Sequence, residues 1–296
     1  MARAIPLKPI IAVILPSVSV IVPAYNAAAT IDACITSLLR LDYPRDRVEI
    51  VVVDNASTDD TPQILARFGD QVRVLRERTR GPAAARNCGL RSATHALVAM
   101  TDADCVVDPQ WLRNLVVPLQ DTAIAIVGGR ILSVQPSNGI EQFGEVIHDH
   151  EAAITHFAPP YVITMNWASR RAHLETCGYF DEQFLRAEDV ELSYRFLRAG
   201  LRFAYAADAI VFHHNERTIV GLFREGFGHG MHSRHIAAKH GDWLHAQNTG
   251  ARPPNPLRAL RRASQELMQG DPTKQSLYRA VFGIGKELGK IVAAIA

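Results

Sequence analysis

The chain has 296 residues, 48% of them hydrophobic, with 32 Lys and Arg against 30 Asp and Glu, so it can bury a sizeable core and carries no compositional sign of disorder. A formal net charge of +2 gives no general pull toward nucleic acid, which removes that class of partner. No run approaches the roughly 20 apolar residues of a membrane-spanning helix. Arg3 and Lys8 ahead of residues 10–15 superficially look like a signal peptide, but that apolar run is short and Pro6, Pro9 and Pro16 interrupt it. Cys34, Cys88, Cys105 and Cys177 are widely spaced without a C-x-x-C pair. The expectation is a cytoplasmic protein, with a peripheral position on the inner membrane face as the variant.

Residues 17–22 form a β-branched run ending on Pro23-Ala24-Tyr25-Asn26, and residues 30–41 place Ile31, Ile35, Leu38 and Leu39 at helical spacing. Residues 48–53 are a second apolar strand ending on Asp54-Asn55-Ala56-Ser57, followed by a helix near Asp59-Asp60-Thr61-Pro62, where acids and an early proline are favourable. Residues 72–75 read as a third strand, Gly81-Pro82 opens a helix through Arg91, and residues 96–100 form a fourth strand with Asp102 and Asp104 at its end. Alternation of this kind implies a mostly parallel central sheet flanked by helices.

Residues 109–119 read as helix and 123–127 as a fifth strand closed by Gly128-Gly129, while 130–170 show no clear pattern. Periodicity returns over 190–199, with Glu188 and Asp189 at the start and Gly200 at the end. Residues 202–206 and 209–212 are short extended runs, the second meeting His213-His214. Pro253-Pro254-Asn255-Pro256 is a rigid break before a helical tail. The expected division is an N-terminal extension 1–16, a catalytic domain 17–215 with halves 17–105 and 106–215, and a helical region 216–296.

Strand ends on one edge of a parallel sheet converge, so the clusters at 23–26, 54–57 and 102–104 can line one crevice for a nucleotide. Each has a plainer alternative. Asp102 and Asp104 are hard oxygen donors suited to Mg²⁺ or Mn²⁺, or else a solvated turn. Asp54 suits a base N–H or ribose hydroxyl, or an Asx turn. Arg86, among Ala83, Ala84 and Ala85, suits a phosphate or the carboxylate of Asp54, or is a surface arginine. Glu188 and Asp189 point about 100° apart on a helix, so one orients while the other serves as general base, or both merely complement the helix dipole. His213 suits a site shared with Mn²⁺ but is equally a structural strand-end histidine.

The set His148, Asp149, His150, Glu151 and His156 lacks H-E-x-x-H and is a poor hydrolase site, and His229, His232 and His235 read as a polar helix face. From Lys274 the tail carries Leu277, Val281, Ile284, Leu288, Ile291 and Ile295 as an apolar stripe opposite Lys274, Arg279, Lys286 and Lys290. Arg252, Arg258, Arg261 and Arg262 add to its basic character. Such a helix packs on the core, pairs with another subunit or lies on an anionic membrane surface.

Taken together, Val18-Ser-Val-Ile-Val-Pro23-Ala-Tyr-Asn26, Val51-Val-Val-Asp54-Asn-Ala-Ser57-Thr-Asp59, Gly81-Pro-Ala-Ala-Ala-Arg86-Asn87, Asp102-Ala103-Asp104, Gly178-Tyr-Phe180-Asp181-Glu182, Glu188-Asp189 and His213 resemble, in order, the motifs of family 2 glycosyltransferases. The resemblance covers 17 to about 215 and implies a GT-A (Rossmann-like) α/β fold with a C-terminal helical extension. It implies an inverting transfer of one sugar from a nucleoside-diphosphate sugar, UDP-sugar favoured, to a carbohydrate, lipid-linked or small-molecule acceptor, with Mn²⁺ or Mg²⁺. Pro23, Ala24, Tyr25, Asn26, Asp54, Asn55, Arg86, Asp102 and Ala103 would hold the donor. Asp104 and His213 would hold the cation, Asp189 would be the base, and Trp167 and Glu188 would face the acceptor. Tyr179 replaces a usual second glycine, and the Q-x-x-R-W motif of processive synthases is absent, which points away from polymer extrusion. The alternatives are a silent sugar-nucleotide binding or scaffold protein and a nucleotidyltransferase; the latter should carry a Gly-rich, basic loop after the first strand, which Pro23 to Asn26 is not.

Overall fold

β1 (Val18–Ala24) and β2 (Val48–Asp54) are apolar on both faces because helices cover both sides of the sheet they begin. Val18, Val20, Val22, Ile50 and Val52 point into one layer with α1 (Ile31–Leu39), while Ile21, Val51 and Val53 point into the other. This computed structural model describes residues 15–247 and 274–295. Most of the N-terminal extension, Pro253 to Pro256 and the arginines at 252, 258, 261 and 262 lie outside the described residues.

The remaining strands are β3 (Arg73–Arg76), β4 (Leu97–Met100), β5 (Cys105–Val107), β6 (Ile124–Ser133), β7 (Trp167–Arg170) and β8 (Arg202–His213). They form one eight-stranded sheet in the order β3-β2-β1-β4-β7-β6-β8-β5. The first four strands pair in parallel, as their alternation with helices dictates, but β7 runs antiparallel between β4 and β6, and β5 antiparallel to β8, so the whole sheet is mixed. The helices that follow the early strands are α2 (Thr61–Ala66), α3 (Pro82–Ser92) and α4 (Trp111–Val116).

Three expectations need correction. Gly128 and Gly129 do not close the fifth strand; β6 runs through them, because a Cβ at Gly129 would sit 2.2 Å from the Ala209 carbonyl and one at Gly128 2.5 Å from the His150 ring. The two extended runs after 201 are a single strand, β8, whose register against β6 shifts between Gly129 and Arg130, opposite Ala206 and Ile210. The patternless stretch holds α5 (Gly139–Ile147), capped by the Asn138 side chain, and α6 (His150–Thr155), capped by Asp149.

α7 (Arg171–Cys177) leads to α8 (Glu188–Arg198). Glu191 of α8 is fully buried beneath Arg195, Lys239 and His240, which fastens α8 to α9 (Ile219–Gln247). α10 (Lys274–Ile295) runs parallel to α9 at very short range. A Cβ at Gly226 would meet the Phe282 carbonyl at 2.3 Å, and one at Gly289 the Phe227 carbonyl at 2.2 Å. The tail therefore packs closely through its small residues, and Val281 of the apolar stripe joins the cluster of Phe143, Leu222 and Tyr278, while Leu277 and Ile295 of that stripe remain exposed, Ile295 by 83%. Among the described residues, no helix is long and apolar enough to cross a membrane.

Candidate active site

The C-terminal ends of β1, β2 and β4 and the start of α3 enclose a cleft of about 600 Å³. Its lining includes Pro23, Ala24, Tyr25 and Asn26 from the end of β1, Asn55 after β2, Arg86 of α3, and Asp102, Ala103 and Asp104 after β4. The first two loops are stitched together. The Asn26 amide donates to Ser57 Oγ at 3.0 Å, Asn26 Oδ1 accepts from the Thr58 amide at 2.8 Å, and the Ala27 amide donates to Thr61 Oγ1 at 2.8 Å. These bonds hold Asn26 in the left-handed region, at φ 48°.

Asn55 Oδ1 accepts the Gly81 amide at 2.9 Å while its Nδ2 donates to the Thr79 carbonyl at 2.7 Å. That places Arg80 and Gly81 on the cleft wall, with the Arg80 guanidinium 4.8 Å from the centroid of the Tyr25 ring. Gly81 has φ 132°, a conformation side chains rarely adopt. Sequence reasoning identified Gly81 as a helix start and as the first residue of a family-like segment, but passed over Arg80, whose sole signal is its position beside Gly81-Pro82.

Arg86 is buried and spans two acids. Its Nη2 lies 2.8 Å from Asp102 Oδ1, and its Nη1 pairs with Glu188 Oε1 at the head of α8. Burial opposes this charge, but the carboxylates of Asp102 and Glu188 hold it in place. Asp54, one of the partners open to Arg86 from the sequence, is elsewhere: buried at the end of β2, it accepts the Ser57 amide at 3.0 Å and does not line the cleft, since the strand turns its carboxylate back into its own loop. Glu188 is likewise only 6% exposed and spent on Arg86, so it does not face an acceptor.

Trp167 is corrected outright. It lies on β7 between Met100 and Gly128, is 1% exposed and meets Phe180 edge-on at 6.1 Å, so no sugar reaches its face.

Asp189 follows Glu188 and is half-buried, its Oδ1 accepting the Val190 amide at 2.8 Å. The Thr164 amide also donates to this carboxylate. Burial first, then the negative charge of Glu188, pushes its pKa up to about 7. Asp189 lines neither the cleft nor the neighbouring cavity described below. It is tied to the cleft through the Arg86–Glu188 pair.

Asp104 and His213 come together because β5 pairs with β8 with Cys105 opposite His213. His213 Nε2 lies 3.4 Å from Asp104 Oδ2 and its Nδ1 2.7 Å from Asn215 Oδ1, while the His214 amide donates to the Asp104 carbonyl at 3.0 Å. Burial disfavours charge on His213, but its hydrogen bond to Asp104 raises its pKa to about 9; burial pushes Asp104 the other way, and the same bond pulls it below its usual range. Asp104, Cys105 and His213 present ligand atoms within 4.8 Å of one another. Burial keeps Cys105 a thiol, so the usable donors are a carboxylate and an imidazole. That sparse set fits a Mg²⁺- or Mn²⁺-type ion that takes the rest of its shell from water and a substrate phosphate.

Asn87, next to Arg86, clamps the turn before α8. Its Nδ2 donates to the Phe180 carbonyl at 2.8 Å and its Oδ1 accepts the Phe180 amide at 2.9 Å. Of the histidine-rich set, His150 is buried between the Gly129 carbonyl and the Ile163 amide, a structural role, while His148 packs edge-on to His213 at 5.1 Å and pairs with Glu225 at 3.5 Å.

The family model described as Glycosyl transferase family 2 matches residues 19–206. The chain is 31% identical over 208 residues to glycosyltransferase AglE of Haloferax volcanii, covering 67% of each chain. It is 30% identical over 236 residues to the pre-mycofactocin glycosyltransferase of Mycobacterium tuberculosis, covering 76% of this chain but only 48% of that protein. Among solved structures, the mannosyltransferase PcManGT from Pyrobaculum calidifontis in complex with GDP-Man and Mn²⁺ is similar with a TM-score of 0.65 and 25% identity, covering 95% of this chain and 86% of that one. TarS of S. aureus in complex with UDP shares the fold with a TM-score of 0.55 at 18% identity, covering 94% of this chain and 91% of the other.

Proposed function

From the premise that this chain belongs to glycosyl transferase family 2 and has its α/β GT-A fold, we propose that it moves one sugar from a nucleoside-diphosphate sugar to an acceptor hydroxyl with inversion at the anomeric carbon. The single observation that supports the reading is the Arg86 bridge, which joins Asp102, on the cleft that Asp104 also lines, to Glu188 at the head of α8, the residue next to Asp189.

In this reading residues 17–105 hold the donor and 106–215 the acceptor. Pro23 to Asn26 and Asn55 receive the nucleoside, with Asp54 supporting the loop behind them. Asp102 and Ala103 face the ribose and diphosphate. A divalent cation, when bound by Asp104 and His213, supplies positive charge that stabilises the departing diphosphate. Asp189, with a carboxyl poised near neutrality, takes the proton from the acceptor hydroxyl as its oxygen attacks the anomeric carbon. The carbon–oxygen bond to the diphosphate breaks on the opposite face, which inverts the configuration.

A UDP-sugar is the first donor candidate; GDP-mannose is the second, since the similar mannosyltransferase carries GDP-Man and Mn²⁺. Melting the protein with UDP, GDP and their sugars, with and without Mn²⁺, tests the reading: a nucleotide shift that depends on Mn²⁺ in the wild type and vanishes in Asp104→Ala is expected, because preferential binding to the folded state raises the melting temperature. No shift with any nucleotide would overturn it.

A further inference from the structure

Beside the cleft opens a second cavity, of about 610 Å³, which shares Asp104 and Arg186 with it. Much of its wall comes from the segment after β8 and the start of α9, beyond residue 206 where the family match ends. Three arginines line it: Arg186, Arg217 and Arg224. Arg217 Nε is held by Glu141 at 2.7 Å. Arg186 and Arg224 are exposed on the cavity wall, and no carboxylate among the described residues forms an ion pair with either. Two of the cavity's acids are engaged, Asp104 with His213 at 3.4 Å and Glu225 with His148 at 3.5 Å, leaving only Glu216 against two guanidiniums.

An unpaired surface arginine is ordinary, but two on one concave wall that runs into the reaction site are an anion receptor in the making. The planar guanidinium fork matches phosphate oxygens in a bidentate way. Apolar side chains adjoin these charges in sequence: Leu185 precedes Arg186, and Ile219 and Val220 follow Thr218, each exposed by 41% or more. Resting on the transferase reading above, we propose that this cavity is the acceptor subsite and takes a hydroxyl-bearing acceptor that also carries a phosphate, held between Arg186 and Arg224. The same chemistry exists in the donor's own diphosphate, and Arg186 borders both cavities, so the test must separate the two sources.

The probe is glycerol 3-phosphate, titrated calorimetrically into the full chain saturated with Mn²⁺ and whichever of UDP or GDP binds. Arg186→Gln and Arg224→Gln are each expected to weaken glycerol 3-phosphate by about tenfold or more, the scale of losing a charge-assisted bidentate contact, while Arg224→Gln keeps nucleotide affinity within about twofold. Both arginines lack ion-pair partners, so unchanged melting temperatures should accompany these losses, and Arg224→Lys should restore part of the affinity. No binding of glycerol 3-phosphate to the wild type, or equal affinity in all variants, overturns the proposal. A matching loss of nucleotide affinity in Arg224→Gln overturns it too, by assigning the arginines to the donor diphosphate. Binding of glycerol 3-phosphate without any nucleotide binding supports the anion site while sinking the transferase reading on its own.

Discussion

Arg86 and Glu188 meet in a buried ion pair across 102 residues of chain, and the same guanidinium reaches Asp102 at 2.8 Å. Replacing it by alanine strands Glu188 without a counter-charge in a dry site. Arg86→Ala is expected to lose about 3–5 kcal/mol of folding free energy, the scale of breaking a buried pair, as read by urea unfolding. Arg86→Lys should recover only part of this, because a single ammonium cannot span both carboxylates as the guanidinium does.

Asp189 yields a pH prediction whose sign follows from its raised pKa. Between the ordinary carboxylate value of 3.8 and about 7 the folded protein holds a proton there that the unfolded chain releases. Stability therefore falls as pH rises through that window, and the penalty is complete above about 7. Asp189→Asn removes it: the variant should be more stable than the wild type at pH 8, on the order of 2–4 kcal/mol, and no more stable at pH 3. Denaturant midpoints at the two pH values check this.

If His213 and Asp104 hold the cation as proposed, its uptake is a proton exchange. Held near 9 by Asp104, His213 is charged at pH 7.5 and must lose that proton before its nitrogen can act as a ligand. Calorimetry of Mn²⁺ binding in buffers of different ionisation enthalpy should report about one proton released per cation, and none in His213→Gln.

The parallel α9 and α10 pair through glycines, so bulk there should cost stability and leave the cleft at the strand ends intact. Gly289→Val would press its Cβ on the Phe227 carbonyl, which a glycine approaches freely. A loss of about 1–3 kcal/mol in thermal or urea unfolding is expected, with UDP or GDP affinity unchanged.

Much of this was legible in the sequence because the first half obeys simple periodicities. β1, β2 and β4 are short apolar runs, each ending on polar residues that belong to one crevice, and Pro23 to Asn26, Asn55, Arg86, Asp102, Ala103 and Asp104 all line it. What was missed has physical reasons. Gly128 and Gly129 look like a turn but are a strand made thin for its neighbours, and Trp167 looks like a sugar platform but fills the core. α5 and α6 are short, and Gly139 and Gly144 dilute the pattern of α5, although Asn138 and Asp149 are good caps. Arg86 finds Glu188 rather than Asp54, and Arg186 and Arg224 share a wall, only through the fold; no local spacing carries either fact.

The proposed reaction divides the labour, with Asp104 serving the cation and diphosphate and Asp189 serving proton removal. It is tested most directly by Mn²⁺-dependent release of nucleoside diphosphate from its sugar donor in Asp189→Asn, beside calorimetric binding of the same nucleotide. Nucleotide binding should be unchanged and the rate at least about 10²-fold lower, the loss expected on removing a general base. Release at the wild-type rate would contradict it.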